Sequence, residues 1–425
     1  MRKWKTHTPE GAFDLLEHAC ARKRGVEDKI TRVYRASGYF EVQTPTFEFY
    51  DVFADESGDI DQGSMMKFFD RNGRILVLRP DFTTPIARLC ATKYADAVFP
   101  KRLSYTGSAF RDGDGGASAG AVQKEFTQAG IELIGQSSPD ADAEVIAVTI
   151  RALLSCGLEE FQIDIGQAEF FKGIMEQTGL DDDMTERMRR LIDKKSFVAV
   201  GELADGYQID KELKSLILEL PNLFGGIEVV ERIKTKPLGS RAKRALDNLM
   251  EIYRILADYG FEKYVSIDLG MVQGLNYYTG VIVKGFTYGV GFPVCGGGRY
   301  DNLIGDYGKG LPATGVAIGI ERVISALCHK ANAVEEEAFD LPAVHTLVCF
   351  GEARETAFKI AEGLRGSGLC VEMWLGGGGA EEYAARRGIG GIVRVKDAET
   401  IEIVNLRDGE TTETTLSGLL GGDGV

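Results

Sequence analysis

The sequence predicts an α+β protein in two parts: an antiparallel sheet interrupted by a helical insertion, then a small C-terminal α/β module. Three observations predict it. The runs RLSYTGSAF, KEFTQAGIELIG, FQIDIG, YVSIDLG and VIVKGF read as strands joined by short turns, which favours antiparallel pairing over repeated βαβ crossovers. Between about 172 and 258 the strands give way to long helical stretches such as DMTERMRRLIDKKS and SRAKRALDNLMEIYRILADYG. Beyond an acidic, aperiodic linker at 331–343, residues 344–425 alternate strand and helix again. A chain of 425 residues suits more than one domain, so a core over 1–330 and a module over 344–425 are expected.

In order along the chain, FDLLEHACARKRGVEDKITRVYRASG has helical spacing and stops at Gly38. YFEVQTPTFEFYDVF reads as a strand interrupted by Pro45, and MMKFFDRNGRILVLRP as a hairpin turning at RNG. DFTTPIARLCATKY is a helix entered through polar residues, and TGVAIGIERVISALCHK is a helix closing the core. HTLVCFG, ETAFKIAEGLRGSG, LCVEMWL, GGIVRVK and TIEIVNLRDG make up the module, and the tail LSGLLGGDGV is expected to fray.

Composition excludes several classes of function. Forty-nine Lys and Arg against 64 Asp and Glu give a formal charge of −15, which opposes binding to phosphate backbones. Seven cysteines occur without a C-x-x-C pair and four histidines are dispersed, which argues for reduced thiols and against a metal site. The N-terminus MRKWKTHTPEG has no apolar run behind its basic residues, and no stretch of about 18 apolar residues occurs. A soluble cytoplasmic protein without a membrane partner is expected.

The chemistry concentrates in ordered motifs. LRPDFTTPIAR, the FR at 110–111, KEFTQAGIELIG, QGLNYYTG, CGGGRYDNL and TGVAIGIER follow one another in the order and spacing of the class II aminoacyl-tRNA synthetase core. The form resembles histidyl-tRNA synthetase, over about residues 8–328. The resemblance implies that Asp81, Thr83 and Gln128 accept from the α-ammonium of free histidine. It implies that Glu132 and Tyr278 engage the imidazole, with Gln273 and Tyr277 completing the contacts. These residue types suit a ligand that carries an ammonium, a carboxylate and an imidazole. Glycines 296–298 would let backbone approach closely. Read blandly, Glu132 is a salt-bridged strand carboxylate and Asp81 a helix N-cap.

The catalytic part of that pattern is damaged. Gln273 stands where the synthetase places an arginine, and removing a preorganised donor costs on the order of 10² to 10³ in rate. Arg111 and Arg322 remain as candidate nucleotide contacts. DGDGGASAGA after Arg111 has no basic residue, and the module carries eight basic residues against thirteen acidic ones. That surface repels RNA. RPDFTTPIAR, FQIDIGQAEFFKG and the NYYTG ending therefore resemble the regulatory subunit of ATP phosphoribosyltransferase, a synthetase paralogue. This resemblance implies no catalytic residues and no cofactor. It implies self-association through GYFEVQTPTFEFYDVF, a short-form catalytic subunit as partner in a hetero-octamer, no tRNA, and L-histidine as effector. The alternatives are a histidyl-tRNA synthetase and a stand-alone histidine-activating enzyme.

Overall fold

A computed structural model describes residues 4–54, 62–112, 123–272, 277–331, 344–376 and 378–420. The chain forms two compact units, Met1–Glu335 and Glu336–Val425.

In the first unit, helix α1 spans Glu17–Ala36. The strands β1 (Phe40–Glu41), β2 (Phe47–Phe49), β3 (Lys67–Phe69) and β4 (Ile75–Leu78) lead into α2 (Thr83–Lys93). Then come β5 (Lys101–Phe110), β6 (Glu125–Ile134), α3 (Pro139–Ser155) and β7 (Phe161–Gln167). Six helices follow: α4 (Ala168–Thr178), α5 (Asp182–Asp193), α6 (Phe197–Gly206), α7 (Lys211–Glu219), α8 (Ile227–Lys234) and α9 (Ser240–Asp258). Between α7 and α8 lies a two-residue strand, β8 (Phe224–Gly225). The unit ends with β9 (Val265–Asp268), β10 (Val281–Thr287), β11 (Cys295–Arg299), β12 (Ala313–Gly319) and α10 (Ile320–Ala331).

Nine of these strands form one sheet in the order β1-β5-β6-β12-β11-β10-β7-β9-β8. Its pairings are antiparallel except β1 with β5 and β7 with β9. A parallel pair needs a long crossover, and helices α4–α9 supply it between β7 and β9. The short strands β2, β4 and β3 form a separate antiparallel sheet, and Gly73 with φ +77° turns the hairpin between β3 and β4.

Several sequence expectations need correction. The first helix starts at Glu17, four residues later than its periodicity suggests. Phe13, Leu15 and Leu16 are exposed and meet no core, and the preceding chain is tied down instead by the Lys124 N–H donating to the Gly11 carbonyl at 2.8 Å. TGVAIG is strand β12, so only the second half of that segment is helical, and the glycines of CGGGR lie in strand β11 rather than in a turn.

The second unit has a five-stranded sheet in the order β14-β13-β15-β16-β17, formed by Val371–Met373, Thr346–Phe350, Gly391–Val395, Ile401–Asn405 and Thr411–Thr414. Helices α11 (Arg354–Gly366), α12 (Ala380–Arg387) and α13 (Leu416–Leu420) complete it. The first five residues of the tail thus form a helix, and Leu416 and Leu419 pack on a core that includes Val348, Ile360 and Val393. Helix α12, which the sequence reading did not assign, begins beyond the glycine run and carries Glu381 and Glu382 in its first turn.

Candidate functional site

Pairing of β6 with β12 sets Glu132 opposite Gly315. A Cβ on Gly315 would lie 1.6 Å from Glu132 Oε2, so the missing side chain is the space the carboxyl group fills. One pair along, Tyr105 of β5 faces Gly130, where a Cβ would come within 2.3 Å of the tyrosine hydroxyl. Glu132 and Gly315 both line a cavity of about 180 Å³, and a side chain at Gly315 would displace the carboxyl group that forms part of its wall.

Glu132 is 1 % exposed and has no ion pair among the described residues. The Tyr300 hydroxyl donates to Oε2 at 2.5 Å and the Thr83 hydroxyl to Oε1 at 3.0 Å. Burial pushes its carboxyl up to about 7, against those hydroxyl donors and with the help of the neighbouring Asp81 charge. A salt-bridged strand carboxylate is therefore the wrong description of it. Tyr277 stacks on Tyr300 at 5.5 Å between centroids and meets Tyr278 edge-on at 5.0 Å, giving an aromatic wall. The N-cap position of α2 is Phe82, so Asp81 is not the N-cap; it accepts from the Thr84 N–H of the first helical turn at 3.3 Å and also lines the cavity. Gln128 Oε1 is buried against the cavity without a partner among the described residues.

The structure thus brings Asp81, Thr83, Gln128, Glu132, Tyr277 and Tyr278 together around one space, with Arg111 at its edge. Gln273 lies outside the described residues, as does most of the loop after Arg111. Arg322 is not on the lining: its Nη1 donates to the Pro293 carbonyl at 2.7 Å, and its guanidinium lies 5.0 Å from the Phe292 ring centre. Arg111 donates to the Pro80 carbonyl at 3.1 Å. Neither arginine forms an ion pair among the described residues, and burial with the adjacent Arg111 charge lowers the Arg322 guanidinium below its ordinary range. Sequence reasoning missed the roles of Tyr105, Tyr300 and Gly315. Tyr300 sits in the quoted CGGGRYDNL, but only the strand register shows that it meets Glu132.

Chemically, the site offers an unpaired amide acceptor, two carboxyl groups and a tyrosine wall. That set fits a small zwitterion with a flat ring that donates hydrogen bonds.

A mainly antiparallel sheet carrying such a cavity on one face defines a class II aminoacyl-tRNA synthetase-like core. The family profile described as Histidyl-tRNA synthetase matches residues 11–323. A solved histidyl-tRNA synthetase from Nostoc aligns with TM-score 0.77 at 23 % identity, covering 97 % of this chain and 98 % of its own, and shares the fold. A Bacillus halodurans structure described as an ATP phosphoribosyltransferase regulatory subunit/histidyl-tRNA synthetase aligns with TM-score 0.81 at 30 % identity, over 90 % of this chain and 97 % of that one. The ATP phosphoribosyltransferase regulatory subunit of Acetivibrio thermocellus is 54 % identical over 99 % of this chain and 100 % of its own length. That of Ruminiclostridium cellulolyticum is 44 % identical over 99 % of both. The chain belongs to the family of ATP phosphoribosyltransferase regulatory subunits, and the match includes its C-terminal unit.

Proposed function

We propose that this chain is the regulatory, non-catalytic partner of a separate ATP phosphoribosyltransferase catalytic subunit in the first step of histidine biosynthesis, required for that subunit's activity. Its core cavity holds free L-histidine as the feedback effector. The observation that carries the effector reading is Glu132. A buried carboxyl met only by hydroxyl groups is an incomplete arrangement, and an imidazole N–H donating to it would supply a charge-assisted bond. Gln128 Oε1, unpaired among the described residues, suits the α-ammonium, together with Asp81 and Thr83. Tyr277 and Tyr278 suit the ring face.

Gln273 in place of a cation, and the acidic C-terminal unit, favour binding without activation or tRNA charging. The face of β2 and β3 that exposes Phe47, Phe49 and Phe68, with Phe40 nearby in sequence, favours self-association into a larger cytoplasmic assembly such as a hetero-octamer. The Arg111 charge acts on Arg322, and neither guanidinium has an ion-pair partner among the described residues, which favours an anion such as a polyphosphate as an additional ligand.

The test is calorimetric titration of the full chain with L-histidine, together with histidine-dependent pyrophosphate exchange. Saturable binding without exchange is expected. Exchange at a synthetase-like rate would overturn the non-catalytic reading. Co-expression with a short-form catalytic subunit should then give an enzyme whose activity needs this chain and falls with histidine.

A further inference from the structure

On the opposite face of the same sheet the first unit carries a second cavity, of about 200 Å³ and open to solvent. Alternation along β11 turns Gly298 to the first cavity and Arg299 to the second. Helix α9 forms another wall, because Arg241, Arg244 and Asn248 stand three and four residues apart and share one helical face.

Three arginines and one glutamate line this cavity, and their pairing is uneven. Arg299 is neutralised by Asp142 at 2.9 Å and Asp301 at 3.0 Å. Glu169 serves two cations, with Arg241 at 2.7 Å and Lys172 at 3.4 Å, while Glu176 reaches Arg241 only at 4.0 Å. Four cations and four carboxylates thus meet around the cavity, and of the cations Arg244 is left without an ion pair among the described residues.

Hydrogen bonding adds a directed donor. Gln167 Oε1 accepts from the Glu169 N–H at 3.3 Å, which orients that amide so that its Nε2 donates to Asn248 Oδ1 at 2.8 Å. The Nδ2 end of Asn248 is left as a donor without a partner among the described residues. Guanidinium forks and an amide offer more N–H groups than the two oxygens of a carboxylate can use, and they suit the terminal oxygens of a phosphate.

The two cavities also share backbone. Tyr277 and Tyr278 line the first, and the next two residues, Thr279 and Gly280, line the second. Lys172 Nζ, held beside Glu169, donates to the Tyr278 carbonyl at 3.1 Å.

We propose that the second cavity binds the phosphate group of a small phosphorylated molecule, and that its occupancy is coupled to the first cavity through Lys172 and the segment Tyr278–Gly280. An anion drawn to Arg241 and Arg244 competes with Glu169, changes the hold on Lys172 and so shifts the tyrosines one residue away. The coupling rests on the histidine reading given above. The phosphate site does not.

Calorimetry on the full chain, using inorganic phosphate, glycerol 3-phosphate and acetate as separate probes, tests the site in wild type and R244Q. Arg244 is exposed, and an unchanged melting temperature certifies that the variant is folded. Saturable binding of glycerol 3-phosphate at one site per chain is expected, with acetate much weaker and R244Q at least tenfold weaker. No saturable binding of either phosphate probe, or equal affinity in R244Q, overturns the site. Histidine is then titrated with and without saturating glycerol 3-phosphate. A change of about fivefold or more in its Kd is expected in wild type, and none in R244Q. An unchanged Kd in wild type overturns the coupling. If histidine does not bind at all, the effector reading and the coupling fall together, while the phosphate titration still decides the site.

Discussion

On one face of the central sheet the Glu132 carboxyl is met by the hydroxyls of Thr83 and Tyr300, whereas on the other Asp142 is clasped by the Arg299 guanidinium. Both carboxyl groups are almost wholly buried, and burial raises the pKa of each. Arg299 pulls against that shift at Asp142 and answers the carboxylate with opposite charge inside the fold. At Glu132 no cation does so among the described residues, and its carboxyl rests near 7. The difference separates a carboxylate paired with a guanidinium from one that meets only hydroxyl groups among the described residues.

The largest effect expected from breaking this contrast lies on the paired side. Asp142→Asn leaves Arg299 buried with Asp301 alone, and should lower the unfolding free energy by about 3–5 kcal/mol in denaturant titrations. A loss below about 1 kcal/mol would mean that Asp301 suffices, and the two faces would differ less than the geometry says.

Glu132→Gln should act in the opposite sense on the ligand-free chain. An acid whose folded-state pKa is raised contributes stability that is whole below its unfolded pKa and is lost as pH rises toward the folded one. Here that window runs from about 4.5 to about 7, and the loss is on the order of 3 kcal/mol. Asp164, pushed up to about 6 by burial, adds a loss of the same sign, so the comparison is between wild type and variant across pH. Relative to wild type, the variant should gain stability between pH 5 and 8. Parallel curves would show that Glu132 is already ionised without penalty.

The same substitution sharpens the ligand side. Exchanging an ionised acceptor for a neutral amide weakens a bond worth roughly 1.5–3 kcal/mol, so histidine affinity should fall about tenfold or more. Inhibition of the reconstituted enzyme should move to higher histidine by the same factor, with activity in the absence of histidine near wild type. Unchanged affinity in a folded variant would move the effector site elsewhere.

The smallest expected effect is at the second unit. Removing residues 336–425 should leave histidine affinity within about twofold, because the cavity lining lies between Val52 and Ala317. A folded, truncated chain that no longer binds histidine would make the C-terminal unit part of the site.

The first side of this contrast was partly legible in the sequence, whereas the Asp142–Arg299 pair was not, for physical reasons. Alternation in KEFTQAGIELIG places Glu132 on a strand face and DFTTPIAR shows the polar entry to α2, but it was the resemblance of the ordered motifs to histidyl-tRNA synthetase that named six of the proposed histidine contacts. The glycine-rich strands β11 and β12 were not legible. Glycine has low strand propensity, and here close approach of backbone and side chains outweighs propensity. Without those strands the register that brings Tyr300 to Glu132 cannot be drawn. The polar face of SRAKRALDN reads as a solvated helix surface until β11 is known to set Arg299 opposite it. Phe13 to Leu16 mislead in the other direction, because helical spacing marks a face for burial only where a core exists to receive it.

The hydrogen bond between Tyr300 and Glu132 spans 168 residues of chain. On a ribosome adding about 5–20 residues per second, the carboxylate emerges roughly 8–34 s before the hydroxyl that meets it. During that interval β6 has β5 beside it but lacks β12, and its unpaired edge is a template for pairing with other nascent chains. A cavity assembled from such distant pieces is complete only when the core is almost fully synthesised. On the effector reading proposed above, nascent chains add nothing to the cell's histidine-binding capacity, and slow translation across the helical crossover would prolong the period in which the half-built sheet keeps an open edge.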